Sequence, residues 1–231
     1  MPHRQRTPLT LATPAIPPLL LLPHNTALLI QDMQQSLTHP EYGLGHTSTH
    51  RGVAQEFTEY YRQLDTVREN IRRLKDVWAM QGMTVVYTCM AQAVDQPPSP
   101  LQRALGLLAP QGHEESRLAT GLAPEGAQRI FYKRGLNAFV DTDLHDFLKE
   151  AAVVNLVVVG VITEFGIRAS VSTAQDLGLC PLVISDATAA LTQATQTRTL
   201  QEIAYGLTKV RSTGEVIAYI EEMEERGHKV V

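Results

Sequence analysis

The stretch that decides the fold spans residues 155–166 and reads Asn-Leu-Val-Val-Val-Gly-Val-Ile-Thr-Glu-Phe-Gly. Its first half is an apolar run, which is typical of a strand buried on both faces of a parallel sheet. A helical pattern follows from Thr163 and ends before Gly178, because glycine is favoured just past a helix terminus. The sequence therefore predicts a strand, a turn and a helix in direct succession, as expected in an α/β domain.

The same alternation of short apolar runs and longer amphipathic runs continues on both sides of this stretch. Strands that alternate with helices form a parallel sheet with helices on both faces. We therefore expect a three-layer α/β domain with a parallel sheet of about six strands. The predicted strands cover residues 26–30, 83–88, 130–132, 155–160, 182–185 and, weakly, 209–210. The predicted helices cover residues 65–81, 163–177, 197–207 and 213–226, together with one that begins at a cap on Asp141 or Thr142 and ends at Glu150.

Length and composition limit the class of protein. The chain has 231 residues, 44% of them hydrophobic, and a net charge of −4. This suits one globular domain with a sizeable core. No basic stripe is available to follow a phosphate backbone, so we predict no nucleic-acid partner. The two cysteines, Cys89 and Cys180, match no metal or dithiol motif and favour a cytoplasmic location.

The first 24 residues predict an extended, proline-rich arm rather than a targeting or membrane segment. Pro14, Pro17, Pro18 and Pro23 interrupt its apolar stretch, so no signal-peptide core is expected. No apolar run approaches the roughly 20 residues that cross a bilayer, so we predict no membrane partner. The arm at residues 1–24 therefore precedes a single domain at residues 25–231.

Three parts of the chain end at one edge of the predicted sheet. Asp32 follows the first strand, Lys133 ends the third, and residues 160–166 follow the fourth. Because ligands bind outside the carboxyl ends of parallel strands, we expect these parts to share one site. A buried carboxyl beside a lysine can act as a general acid or base. Alternatively, Asp32 caps a helix or turn and Lys133 is a solvated strand end.

Four sequence pieces resemble the isochorismatase-like hydrolase superfamily over about residues 25–215. They are Asp32-Met33-Gln34, the segment Lys133-Arg134-Gly135-Leu136-Asn137-Ala138-Phe139, the turn Gly160-Val161-Ile162-Thr163, and Ala174-x-Asp176-x-Gly178. The resemblance implies a single Rossmann-like domain, an active centre of Asp32, Lys133 and residue 166, and a cis Val161–Ile162 bond. It also implies a homo-oligomer, a dimer or tetramer, for which the arm and Tyr60-Tyr61 are candidate contacts.

Residue 166 is the main departure from most of this superfamily. Most members are amidases with a cysteine there, whose thiolate attacks the amide carbon. Here the residue is Gly166, as in the isochorismatases, which cleave a vinyl ether. The resemblance then implies that Asp32 is the acid, that Lys133 holds the substrate or tunes the acid, and that Gly166 leaves room. Alternatively, Gly166 only allows close packing in a relative that has lost its activity.

Candidate substrate-binding residues follow from the same resemblance. Isochorismatases carry a carboxylate-binding arginine where this chain has Gly135, and a substrate-contacting glutamine where it has Met90. Arg134 or Arg168 is the candidate replacement cation, although either can be a solvated charge. Glu164 either contacts the substrate or is an exposed acid on a first helical turn. The full set of candidates is Gln34, Gln92, Arg134, Phe139, Ile162, Thr163, Glu164 and Arg168.

A metal site is not expected. The metal set of nicotinamidases follows the second strand, where residues 91–111 of this chain contain no histidine. The histidines at 39, 46 and 50 match no tight metal motif. We predict neither a metal nor another cofactor.

The preferred hypothesis is an acid-catalysed hydrolase that acts on a chorismate-derived enol ether or a similar small carboxylated metabolite of secondary metabolism. Two alternatives stay open. One is hydrolysis or isomerisation of a different ring acid, and the other is a non-catalytic protein that binds a small molecule or a partner. If the preferred hypothesis holds, Asp32→Ala is expected to abolish turnover and to spare folding.

Overall fold

The computed structural model describes residues 20–92, 96–205 and 208–225. Within these ranges, six parallel strands form one sheet in the order β3-β2-β1-β4-β5-β6. The strands are β1 Thr26–Gln31, β2 Thr84–Met90, β3 Arg129–Lys133, β4 Asn155–Val161, β5 Cys180–Ala189 and β6 Lys209–Arg211. The predicted α/β class and parallel sheet are therefore confirmed.

Helices cover both faces of the sheet. The α-helices are α1 Gln35–Thr38, α2 Gly43–His50, α3 Thr58–Met80, α4 Pro100–Leu105, α5 Leu144–Glu150, α6 Arg168–Asp176, α7 Gln193–Tyr205 and α8 Thr213–Glu225. A π-helical segment, Thr163–Ile167, joins β4 to α6, and single 3-10 turns lie at Ala54–Phe57 and Glu114–Ser116. No helix in the described ranges is long and apolar enough to cross a membrane.

Two apolar layers hold the sheet between the helices. Leu28, Ile30 and Val157 pack on one face with residues of α3, including Ile71 and Trp78. On the other face, alternate residues of the same strands pack with α5 and α6; these include Leu29, Val158, Leu148 and Val171. Every residue of β4 is buried, as its apolar sequence predicts. Burial on both faces makes β1 and β4 the rigid centre from which the functional site extends.

Helix α3 begins seven residues before its predicted start. The predicted apolar face, which includes Val67, Ile71 and Trp78, is buried. The extra turns carry Tyr60 into the core, where its hydroxyl donates a hydrogen bond to the Leu37 carbonyl over 3.1 Å. The Tyr60 side chain is thus buried within its own chain and offers no surface to another subunit, whereas a subunit contact at Tyr61 stays a prediction.

Other boundaries differ by a few residues. Helix α5 begins at Leu144 with Asp143 at the cap position, while the Thr142 hydroxyl accepts a 3.5 Å hydrogen bond from the Leu144 amide. Asp141 has a φ of +57°, and the Thr142 hydroxyl donates back to the Ala138 carbonyl. The predicted arm lies outside the described residues except for residues 20–24, and so do residues 206, 207 and 226, at the ends of two predicted helices.

Gly160 lets strand β4 approach strand β1 closely at the centre of the sheet, and this leads to a prediction. Its φ is +114°, and a Cβ there would overlap the Gln31 carbonyl of the neighbouring strand. We expect Gly160→Ala to lower the free energy of unfolding by about 2–3 kcal/mol, from backbone strain and overpacking. Gly214→Ala is the control, because nothing lies within 4 Å of a Cβ there. Thermal unfolding measures both variants, and equal melting temperatures would contradict the expectation.

Candidate active site

A buried ion pair lies where the sequence predicts the site. Asp32 directly follows β1 with a φ of +57°, and Lys133 ends β3, two strands away in the sheet. The Lys133 side chain spans this distance and places its Nζ 2.7 Å from Asp32 Oδ2. Asp32 Oδ1 accepts a 3.2 Å hydrogen bond from the hydroxyl of Thr88, on the intervening strand β2. The carboxyl ends of three adjacent strands thus meet at one carboxylate.

The Lys133 ammonium is fully coordinated by its own chain. Besides the Asp32 carboxylate, Nζ donates to the Gly135 carbonyl at 2.8 Å and to the Leu136 carbonyl at 3.0 Å. A lysine ammonium has three donors, and all three are used here. Lys133 therefore supports Asp32 electrostatically and has no N–H left for another ligand in this arrangement.

Burial controls the proton affinity of Asp32. The residue is 2% exposed and Lys133 is 1% exposed. Removal from water raises the pKa of the Asp32 carboxyl above its usual range, and the Lys133 charge and hydrogen bonds from Lys133, Thr88 and Gln31 offset only part of that rise. A carboxyl in this environment holds its proton to a higher pH than an ordinary aspartate, as a general acid requires.

Gly166 lies beside the same carboxylate. An ideal Cβ built on it would be 3.4 Å from Asp32 Oδ2 and 2.5 Å from Gln31 Nε2. The π-helical segment that holds Gly166 follows the Val161–Ile162 bond, which is cis, as the resemblance implied. The structure therefore brings Asp32, Lys133 and Gly166 together.

The turn after β4 carries further buried polar atoms. Thr163 Oγ1 and Glu164 Oε2 are buried and have no hydrogen-bond partner among the described residues. Glu164 Oε1 accepts a 3.1 Å hydrogen bond from the Leu191 amide after β5, so Glu164 is not an exposed first-turn acid. Ile162, at the cis bond, is 7% exposed. Buried polar atoms without a partner are candidate contacts for a ligand or for water.

Other predicted binding residues are held by their own chain. The Gln34 carboxamide is buried and exchanges two hydrogen bonds with the Met90 backbone, each 2.6 Å long. The Arg168 guanidinium is exposed and forms a 3.3 Å ion pair with Glu202. Phe139 packs with the apolar layer beneath α5 and α6. The structure therefore does not bring these three side chains to the Asp32 carboxyl.

A cavity of about 360 Å³ opens beside the buried pair. Arg134 lies in its wall, and its guanidinium contacts Gln96 and the Pro97 carbonyl. The Gln92 backbone is nearby, where its amide donates to the Ala109 carbonyl and it forms a bridge with Pro110. The lining residues are Ala91, Gln96, Gln111, Tyr132, Lys133, Arg134 and Asp141. The volume suits a small metabolite, and Asp32 lies behind Lys133, outside the lining.

Two contributors were not singled out from the sequence. Gln31 is the polar last residue of β1, directly after the apolar residues 27–30, and Thr88 is a polar residue inside β2. A polar residue at the carboxyl end of a buried strand was the available signal. Cys89, the next residue of β2, does not replace the missing nucleophile, because it is buried and burial raises the pKa of its thiol. Within the described ranges, no group of three or more His, Cys, Asp or Glu residues could hold a metal ion.

The fold and this site define an isochorismatase-like hydrolase. The sequence model of the Isochorismatase domain matches residues 26–215, and the chain belongs to this family. It is 28% identical over 136 residues to the uncharacterized isochorismatase family protein YrdC of Bacillus subtilis (strain 168), a match that covers 59% of this chain and 67% of that protein.

Solved structures establish the same fold. A cysteine hydrolase from Pseudomonas syringae pv. phaseolicola 1448A superposes with a TM-score of 0.72 at 22% identity, over 87% of this chain and 94% of that chain. The N-carbamoylsarcosine amidase from Thermoplasma acidophilum superposes with a TM-score of 0.64 at 19% identity, over 82% and 96% of the two chains. Identities this low support the fold but do not indicate the substrate, which has to be inferred from the chemistry of the site.

Proposed function

We propose that this hydrolase cleaves the vinyl ether of a small enolpyruvyl-bearing acid, with Asp32 as the general acid. The observation that carries the proposal is the buried Asp32 carboxyl, with its raised pKa, 3.4 Å from a residue-166 position that has no side chain. The acid is present and a nucleophile at residue 166 is absent. Vinyl-ether hydrolysis needs the first group and does not need the second.

In the proposed reaction, the Asp32 carboxyl transfers its proton to the terminal methylene carbon of the enolpyruvyl group. The resulting oxocarbenium ion is stabilised by the carboxylate that remains. Water adds to the cationic carbon and returns a proton to Asp32. The hemiketal then collapses to pyruvate and an alcohol. One ether and one water molecule are consumed, and the enzyme returns to its starting state.

Lys133 has the tuning role in this proposal rather than the substrate-holding one. Its three ammonium protons are directed to Asp32, Gly135 and Leu136, so its charge is fixed beside the acid. A fixed positive charge keeps the pKa of Asp32 from rising so far that the carboxyl no longer releases its proton. Lys133 therefore adjusts the strength of the acid and stabilises the carboxylate formed after proton transfer.

Arg134 is the proposed carboxylate-binding residue. It follows Lys133 directly and lies in the wall of the 360 Å³ cavity, where its present partners are Gln96 and a backbone carbonyl on the surface. An arginine can exchange such neutral partners for a bidentate carboxylate. Arg168 is the second candidate, but it would first have to leave Glu202. Gln92, Ile162, Thr163 and Glu164 complete the proposed lining.

Two other functions have specific support. Gly135 stands where isochorismatases carry an arginine, which favours acid–base chemistry on a different ring acid. The 2% exposure of Asp32 favours a non-catalytic binding protein, because catalysis requires substrate binding to open a path past Lys133. The preferred proposal therefore includes movement of the loop at residues 134–139 when the substrate binds.

Pyruvate release tests the proposal. Isochorismate and its 2-amino analogue are offered separately to the protein, and pyruvate is measured by its reduction with lactate dehydrogenase and NADH. Pyruvate released in proportion to enzyme, from either compound, supports vinyl-ether hydrolysis. A folded protein that releases none from both compounds refutes it and favours the other ring acid or the binding role. Retention of a labelled ring acid in equilibrium dialysis then separates those two.

The dependence of the rate on pH is a further prediction. Only protonated Asp32 can donate the proton, so kcat/KM is expected to be highest at low pH. It should fall tenfold per pH unit above the pKa of this carboxyl, which burial raises. Initial rates over the pH range in which the protein stays folded measure this limb. A rate that rises with pH across the same range would contradict a protonated Asp32.

Assembly and location remain predictions. The homo-oligomer, a dimer or tetramer, is tested by light scattering of the purified protein. A monomer at micromolar concentration would refute it. The cytoplasmic location is tested by fractionating cells that carry the tagged protein.

A further inference from the structure

Gln31 is a fully buried glutamine at the centre of the site. It is the last residue of β1 and pairs with Gly160 on β4, where the two backbones approach closely. Its Nε2 donates a 3.1 Å hydrogen bond to the Leu136 carbonyl, which also accepts from Lys133. The Gln31 side chain is also among the groups that lower the pKa of the Asp32 carboxyl. The NH₂ group is therefore built into the network around the acid.

The other end of the carboxamide has no partner. Gln31 Oε1 is buried and has no hydrogen bond from any described residue. Exchanging the two amide atoms would direct Oε1 at the Leu136 carbonyl, and two acceptors would face each other, so the orientation is fixed by its neighbours. A buried carbonyl oxygen that is left unpaired is costly, and such groups normally accept from water or a ligand. Oε1 is thus an acceptor available beside Asp32.

The same carboxamide fills the place of a side chain at residue 166. The ideal Cβ on Gly166 would be 2.5 Å from Gln31 Nε2, closer than real Cβ contacts. Gln31 is buried, so its end group cannot turn out to solvent to make room. A residue with a Cβ at 166 and the present position of Gln31 therefore exclude each other.

We propose that Gln31 is a third functional side chain of this site, beside Asp32 and Lys133. Its NH₂ occupies the space that a residue-166 side chain would need and holds the acid in place. Its Oε1 holds the water that adds to the substrate, a role that rests on the proposed function. As the water oxygen bonds to the oxocarbenium carbon, one hydrogen stays on that oxygen and donates a hydrogen bond to Gln31 Oε1. The other hydrogen passes as a proton to the Asp32 carboxylate.

A thermal double-mutant cycle, which needs no substrate, tests whether the Gln31 side chain fills the space at residue 166. We expect Gly166→Ala to lower the melting temperature by about 5 °C in the wild-type background, since it overpacks a buried contact. In a Gln31→Ala background, the same Gly166→Ala change should cost little, because the new methyl group fills space left by the carboxamide. An equal decrease in melting temperature in both backgrounds would overturn the claim that Gln31 fills this space.

Turnover tests the water-holding role. Gln31→Met keeps the length of the side chain and removes both hydrogen-bonding atoms. We expect kcat to fall about 10- to 100-fold with KM little changed. The alkaline limb of the pH profile should also move to higher pH, because Gln31 is one of the groups that lower the pKa of Asp32. Unchanged kcat and an unmoved limb would overturn the assignment.

Gln196→Met is the matched control, since Gln196 is another buried glutamine, bonded to Ser185 and Thr188 away from the acid. It should lower the melting temperature and leave the pH limb in place. A limb that moves equally in both variants would show a general packing effect and overturn the specific role. If the wild type releases no pyruvate, the proposed function and the water-holding role both fall. The thermal cycle still decides whether Gln31 fills the space at residue 166.

Discussion

Asp32→Asn is expected to lower kcat/KM for the enolpyruvyl ether by about 10²- to 10⁴-fold, the usual contribution of a general acid. Asparagine keeps one oxygen, which can accept from the Lys133 ammonium, now 2.7 Å from Asp32 Oδ2. Its NH₂ group replaces Oδ1 and can donate to the oxygen of the Thr88 hydroxyl. It cannot deliver a proton to a carbon atom. The variant should therefore bind its ligand while turnover is lost, and pyruvate release under identical conditions measures the difference.

The choice of asparagine follows from the buried partner. The expectation that Asp32→Ala spares folding does not agree with the geometry, because alanine would leave the buried Lys133 charge with only two carbonyl oxygens. Removing one member of a buried pair costs about 3–5 kcal/mol. Asp65→Asn is the matched control, since that carboxylate is 84% exposed on α3 and should affect neither rate nor folding. Turnover retained in a folded Asp32→Asn protein would refute acid catalysis by Asp32.

The fold was predictable because its signals are local. The apolar run of β4, the helix that follows it and the glycine at 178 each report on neighbouring residues, and the structure reproduces all three. The start of α3 was not predictable in the same way. Its first turns carry polar residues such as Glu59 and Gln63, so they show no helical pattern of apolar residues. Tyr60 is buried there through a contact with Leu37 of α1, which the local sequence does not encode.

The site was predictable only as a set of strand ends. Sheet topology explains why Asp32 and Lys133 meet although 101 residues separate them in the sequence. The partners of individual side chains depend on distant segments that no local pattern encodes. Glu164 accepts from Leu191, and Gln34 is held by Met90, 56 residues away. Each such contact decides whether a candidate residue is free for a substrate, so the list of binding residues was the least predictable part.

Lys133→Met is expected to destabilise the protein by about 3–5 kcal/mol near neutral pH, because methionine fills the space and leaves the Asp32 carboxylate buried without its counter-charge. The loss of the Lys133 charge and hydrogen bond also removes two influences that lower the pKa of Asp32. The carboxyl of the variant should therefore stay protonated to a higher pH, as a weaker acid, with slower turnover and an alkaline limb moved upward.

The stability loss in Lys133→Met should itself depend on pH. A carboxyl whose pKa is raised on folding contributes stability below its unfolded-state pKa, and this contribution disappears as pH rises through the folded-state pKa. The variant should therefore lie closer to wild type at pH 5 than at pH 8 in chemical denaturation. Lys149→Met, an exposed change on α5, controls for loss of one positive charge. An equal deficit at both pH values would mean that folded wild type and variant bind the same number of protons over this range. Lys133 would then not adjust the proton affinity of Asp32 there, and its proposed tuning role would be refuted.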